Sequence, residues 1–220
     1  MRRRATWLAA VAVLAACGTP GTPGDASAPM PRETSAGAVR MAAVGDSITA
    51  ADSPDLAGGD PGPGSWVFHA AGGELALAGG WAEWGATTAQ MADGVTPVEA
   101  DVLVVLAGTN DAGTGVPFED TAANLAEIVE TVGAPRVLLS AVPPIDADPR
   151  SATELNAALR ELADRRGWEW VDAPAGLRDG DRFAPGMASD GLHPTEAGAR
   201  VIGEAVREAV LAPARDGPGR

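Results

Sequence analysis

The chain is 220 residues long, 45% hydrophobic and 21% charged, which is enough apolar material for one globular domain with a sizeable core. Its formal charge is -14 and all 16 basic residues are arginine, so it lacks the clustered basic face that displaces counterions from nucleic acid, and a nucleic-acid partner is not expected. The absence of lysine removes a P-loop nucleotide site, and the single cysteine removes both an internal disulfide framework and a cysteine-built zinc site.

At the start of the chain, Arg2, Arg3 and Arg4 precede an apolar run over residues 5–16 that is short for a permanent membrane helix. Leu14-Ala15-Ala16-Cys17 closes it, with small residues before the cysteine. This is the layout of an export signal. Its ending resembles the lipobox of bacterial lipoproteins, which implies a signal peptide over 1–16, lipidation of Cys17 and a membrane anchor on the extracytoplasmic side. An ordinary secretory signal, giving a secreted product, is the alternative. An acidic body is repelled by anionic lipid, so anchoring would rest on acyl chains, each buried methylene contributing about 0.8 kcal/mol. Residues 17–37 are dense in Gly, Pro, Ser and Thr and read as a disordered tether.

The domain proper is expected over 38–212, with a frayed tail over 213–220. Strand-like apolar runs occur at Ala38–Val44, Asp101–Leu106, Arg136–Val142 and Trp168–Val171. Of these, DVLVVL is almost uninterrupted, as in a strand covered on both faces. Helical spacing links Phe118, Ala122, Leu125, Val129 and Val132, with Gly133 and Pro135 as the stop. Ser151 and Glu154, in capping-box spacing, open a second helix that carries Leu155, Leu159 and Leu162 inward and ends near Gly167. A last helix begins around Pro194 with Val201, Ile202, Ala205, Ala209 and Val210 on one side. The alternation predicts an α/β fold with a parallel sheet between helices, whose ligands collect beyond the carboxyl ends of the strands.

Three polar clusters fall at such ends: Gly45-Asp46-Ser47-Ile48-Thr49, Gly108-Thr109-Asn110-Asp111, and Asp190-Gly191-Leu192-His193-Pro194. A serine hydroxyl needs a positioned base, and the base needs an orienting group. Of the two histidines, His193 has Asp190 three residues before it, near enough to meet one ring nitrogen while the other faces Ser47. His69 has no such neighbour and reads as a packed or surface histidine, and Asp46 as a residue that stabilises its own loop. Ester attack also needs donors for the developing oxyanion. The candidates are the backbone N–H of Ser47, a backbone N–H at Gly85 and the side-chain amide of Asn110.

In order and content these blocks resemble the SGNH, or GDSL-type, hydrolases. The resemblance runs from about Met41 to the last helix, although Glu83 stands where the glycine block more usually has Asn. It implies a flavodoxin-like three-layer α/β/α sandwich, a triad of Ser47, Asp190 and His193, and an oxyanion hole of Ser47, Gly85 and Asn110. It further implies ester or thioester hydrolysis by a serine esterase with no metal and no organic cofactor. A monomer acting on a small-molecule or carbohydrate ester is expected, lipid esters remaining open. A non-catalytic ligand-binding lipoprotein on the same fold is the rival reading, and its mark would be a broken triad. An α/β-hydrolase is disfavoured by the absence of Gly-x-Ser-x-Gly, and metal-dependent hydrolysis by the lack of ligand-spaced residues. Trp66, Trp81 and Trp84 lie close to the blocks and stay open as a sugar-stacking surface, an acyl-pocket wall or core, and the loop 51–64 is placed to rim the site.

Overall fold

The computed structural model describes residues 33–213. The signal, Cys17, most of the expected tether and residues 214–220 lie outside the described residues. In chain order the elements are β1 (Thr34–Gly45), α1 (Ser47–Ala50), α2 (Trp66–Ala70), β2 (Gly73–Ala82), α3 (Thr88–Gly94), β3 (Val102–Leu106), α4 (Thr109–Thr114), α5 (Phe118–Val132), β4 (Arg136–Ser140), α6 (Pro149–Arg166), β5 (Glu169–Val171), a small hairpin of β6 (Arg178–Asp179) and β7 (Arg182–Phe183), and α7 (Glu196–Leu211).

Five strands form one sheet in the order β2-β1-β3-β4-β5, and every neighbouring pair is parallel. This is the flavodoxin-like doubly wound order. The crossover from β1 to β2 moves one way along the sheet and the later crossovers move the other. Right-handed connections therefore place their helices on opposite faces. Consistent with that, α2 packs against α7, while α3 packs on α5 and α5 on α6. All five residues of β3 are buried, because helices cover both its faces. Leu103, Leu138, Leu159 and Ile202 are among the core side chains, each contributing about 1.5–3 kcal/mol on burial.

Four local features differ from the sequence expectation. The strand β2 was not anticipated, because Gly73, Gly79 and Gly80 interrupt its apolar run and it occupies a sheet edge. Helix α6 starts before Ser151: Asp148 is the N-cap, accepting from the Ser151 N–H, and Pro149 occupies the first turn, where a missing N–H costs nothing. Glu154 pairs instead with Arg150. Helix α7 buries Ala199, Ile202, Val206 and Val210, a stripe rotated from the expected one, with Val201, Ala205 and Ala209 on its margin. β1 also begins at Thr34, inside the segment read as tether.

The end of α7 is fastened to the sheet by Arg136, which pairs with Glu169 on β5 and donates to the carbonyls of Ala209 and Val210. Those carbonyls belong to the last turn of the helix, where no intrahelical partner exists.

Candidate active site

The carboxyl end of β1 runs directly into the nucleophile candidate. At Gly45 a Cβ would stand 2.1 Å from Thr49 Oγ1 and 2.6 Å from the Leu106 carbonyl oxygen, so only glycine lets β1 end this close to β3 and to the turn above it. Asp46 caps the following short helix, its Oδ1 accepting from the Ile48 N–H at 3.0 Å, in line with a loop-stabilising role. Ser47 is thereby fixed at the first helical position, nearly buried at 7% exposure.

His193 arrives from the other end of the chain. Its Nε2 lies 3.0 Å from Ser47 Oγ, across 146 residues of sequence, and its Nδ1 lies 2.8 Å from Asp190 Oδ2. A carboxylate only accepts, so Nδ1 carries the proton and Nε2 is left with the lone pair that faces the serine hydroxyl. The backbone N–H of His193 donates to Asp190 and holds its carboxyl down at about 2, helped by the imidazole side chain and the Leu192 N–H. The turn is braced from outside: Asp146 N–H donates to the Gly191 carbonyl, and Asp146 Oδ1 accepts from the Phe183 N–H on the hairpin.

The expected oxyanion donors occupy a neighbouring edge. Asn110 Nδ2 donates to the Ala86 carbonyl at 2.9 Å, which joins the block after β3 to the turn carrying Gly85 and leaves the second amide hydrogen available. Gly85 has φ +73 with open space where a Cβ would sit, a left-handed conformation that glycine adopts without penalty. Neither Gly85 nor Asn110 lines the pocket that contains Ser47 and His193. That pocket, of 280 Å³, is walled by Ser47, Ile48, Ala51, Asp52, Trp84 and His193, with Gly64, Ser189 and Pro194. The loop 51–64 therefore rims the site, as its position suggested.

One supporting residue escaped the sequence reading as a contributor. Asp111 is buried and ties three elements together, its carboxylate accepting from the N–H and hydroxyl of Thr88 and from the Thr121 hydroxyl. Its place in Gly-Thr-Asn-Asp was a visible signal, but its partners were not. Trp84, at 64% exposure, is the exposed large hydrophobic residue among those described. Its ring stands 5.1 Å from that of His193 at a tilt of 33°, and its Nε1 donates to the Ala51 carbonyl. Trp66 is core, bonded to Thr49 Oγ1, and Trp81 packs partly buried against the core. His69 is buried and bonded to the Pro63 carbonyl.

Electrostatically the floor of the site is unusual. Burial pushes the Asp46 carboxyl up to about 6, a rise opposed by the Ile48 N–H and by His193 and reinforced by Asp111. Its Oδ2, like Thr109 Oγ1, is buried without a partner. A larger pocket of 380 Å³ opens by Trp170 and Arg178. Its main polar groups are already used, Arg178 on Asp172 and Asn156 on the backbone of Val142. Among the described residues no group of three or more His, Cys, Asp or Glu is placed to hold a metal ion.

Comparison with known proteins agrees with this architecture. The sequence pattern of the GDSL-like lipase/acylhydrolase family matches residues 43–201. Among solved structures, a GDSL-like lipase from Bacteroides thetaiotaomicron superposes with TM-score 0.60 at 20% identity, covering 78% of this chain and 87% of that one. A member of the lipolytic G-D-S-L family from Veillonella parvula gives 0.62 at 19%, covering 80% and 100%. A variant of an acetyl xylan esterase from Geobacillus stearothermophilus gives 0.58 at 15%, covering 83% and 97%. No curated protein matches the chain in sequence.

Proposed function

Because the chain belongs to the GDSL-like lipase/acylhydrolase family, we propose that it hydrolyses carboxylic esters through an acyl-serine intermediate on Ser47, outside the cytoplasm. The observation that carries this reading is the unbroken relay from Ser47 Oγ to His193 Nε2 and from His193 Nδ1 to Asp190 Oδ2.

In the first half-reaction Ser47 Oγ forms a bond to the ester carbonyl carbon while its proton passes to His193 Nε2. Asp190 keeps the imidazole in the required tautomer and offsets the positive charge that it gains. The negative charge arriving on the carbonyl oxygen is met by the N–H groups of Ser47 and Gly85 and by the free amide hydrogen of Asn110. Collapse expels the alcohol, which takes the proton back from His193. Water then repeats the sequence on the acyl-serine, giving its proton to His193, and releases the acid and the free enzyme.

Acetylated carbohydrates are the substrate class we favour within the esters, supported by the likeness in fold to an acetyl xylan esterase and by a pocket of only 280 Å³. That volume is at the small end for ligand sites and suits a compact ester better than one with a lipid chain. We further assign Cys17 as the lipidated anchor, on the strength of Leu14-Ala15-Ala16-Cys17. No helix among the described residues is long and apolar enough to cross a membrane.

The test is direct. Residues 18–220 should hydrolyse p-nitrophenyl acetate, and Ser47→Ala should abolish this without altering the circular dichroism spectrum. Retained hydrolysis in that variant removes the mechanism.

A further inference from the structure

Trp84 combines properties that packing alone leaves unaccounted for. Large aromatic side chains are usually buried, yet this one is 64% exposed while held from two sides. One hold is the ring of His193 at 5.1 Å. The other is the bond from Nε1 to the Ala51 carbonyl at 2.9 Å. Ala51 is itself the one non-glycine residue with positive φ among those described, at +41, in the turn closed by the Ser53 N–H on the Ala50 carbonyl. An indole fixed in this way presents apolar surface without having to lose much rotamer freedom on binding, which is how rigid aromatic side chains favour ligand contact.

The chemistry states which part of the substrate lies there. His193 must hand its proton to the departing alkoxide, so the alcohol leaves beside the imidazole, and the indole packed on that imidazole is its immediate neighbour. Trp84 walls the pocket beside Ser47 and His193, whereas Gly85 and Asn110 are not among its lining residues. Around Trp84 the wall is polar at its rim, with the exposed Asp52 and Ser189, Ser189 Oγ donating to the His193 carbonyl. An apolar plate with a hydrogen-bonding rim matches a pyranose ring, which offers a C–H face and a hydroxyl edge.

We propose that Trp84 is the leaving-group determinant of this site, seating the sugar ring of an acetylated carbohydrate against its exposed indole while the ester reaches Ser47. This rests on the ester-hydrolase reading of the relay. The stack on His193 makes Trp84 also a positioning residue for the base, so its removal lowers turnover of every ester to some degree. What distinguishes the proposal is selectivity between alcohols with the acyl group held constant.

The experiment compares kcat/KM for an acetylated xylopyranoside and for ethyl acetate in the wild type, Trp84→Ala and Trp84→Phe. The preference for the pyranose ester should fall about fivefold to tenfold in Trp84→Ala and be largely kept in Trp84→Phe, which retains an aromatic face and loses the bond to Ala51. An equal loss on both esters, or a wild type with no pyranose preference, overturns the proposal. A second arm uses Ser47→Ala, in which binding of the same xylopyranoside is followed by calorimetry. Affinity should drop by about the same factor when Trp84→Ala is added, and unchanged affinity also overturns it. If the wild type hydrolyses no ester, the hydrolase reading fails, and the binding arm still decides for or against the role of Trp84.

Discussion

Asp190 grips His193 twice: Oδ1 accepts from its backbone N–H and Oδ2 stands against its ring Nδ1, both at 2.8 Å. One carboxylate thus fixes both the position of the residue and the orientation of its ring. Asp190→Asn should leave the backbone contact and spoil the tautomer, since an amide can present a donor to Nδ1. We expect kcat to fall about 100- to 1,000-fold, less than in buried triads because this carboxylate is half exposed. A steady-state assay checks it, and a loss under about fivefold would mean that the carboxylate does not set the imidazole.

Activity should decline on acidification from neutrality, because an imidazolium cannot accept the serine proton. Asp190 cannot cause that decline. Its carboxyl is depressed to about 2, so its help to the turn is in place above the ordinary value of 3.8 and is lost only as pH falls through 2. A rate that stays unchanged as the pH is lowered from neutrality toward that range would remove a histidine base.

Asp46 predicts the opposite sign for stability. Its folded value of about 6 lies above the ordinary 3.8, so the fold prefers the protonated form. That contribution is present below about pH 4 and lost as pH rises through 6, a swing on the order of 3 kcal/mol. Asp46→Asn should therefore flatten the dependence of Tm on pH between 4.5 and 7.5, whatever its offset. Identical slopes in the two proteins, measured by thermal melts, would contradict it.

Removing the Asn110 amide should lower kcat about 100- to 1,000-fold with little change in KM, because the lost donor acts on charge that exists only in the transition state. The same change frees the Ala86 carbonyl, so Asn110→Ser, scored beside Asn110→Ala, tests whether a shorter donor restores anything. A KM effect without a kcat effect would place Asn110 in ground-state binding instead.

Two glycines beside the site should respond differently to alanine. At Gly45 the new methyl meets Thr49 and the Leu106 carbonyl, and overpacking against backbone should cost about 3 kcal/mol and displace Ser47. At Gly85 the space is open and only the left-handed conformation is penalised, by about 1–2 kcal/mol. Urea unfolding of Gly45→Ala and Gly85→Ala decides this, and comparable midpoints would refute it.

Much of the architecture was written in local patterns. The stretch DVLVVL is a strand because it is apolar on both faces, and the three- and four-residue spacing from Phe118 to Val132 matches α5 at both ends. The site was legible as well, since Gly-Asp-Ser, Gly-Thr-Asn-Asp and Asp-x-x-His each follow or precede an element whose end is marked by residue type. Less legible were β2, whose glycines blur its period, and the start of α6, where Asp148 and Pro149 outcompete Ser151 as cap and first turn.

By itself, then, the sequence determined the layered α/β class and which side chains are candidates for the chemistry, because apolar periodicity and short-range motifs act over a few residues. Only the tertiary structure decided that Ser47 and His193 meet at 3.0 Å, that Asp46 is fully buried, and that Trp84 lies on the imidazole instead of in the core. Those relations depend on how the strand order β2-β1-β3-β4-β5 brings distant loops to one edge, and long-range contact leaves no mark in local pattern.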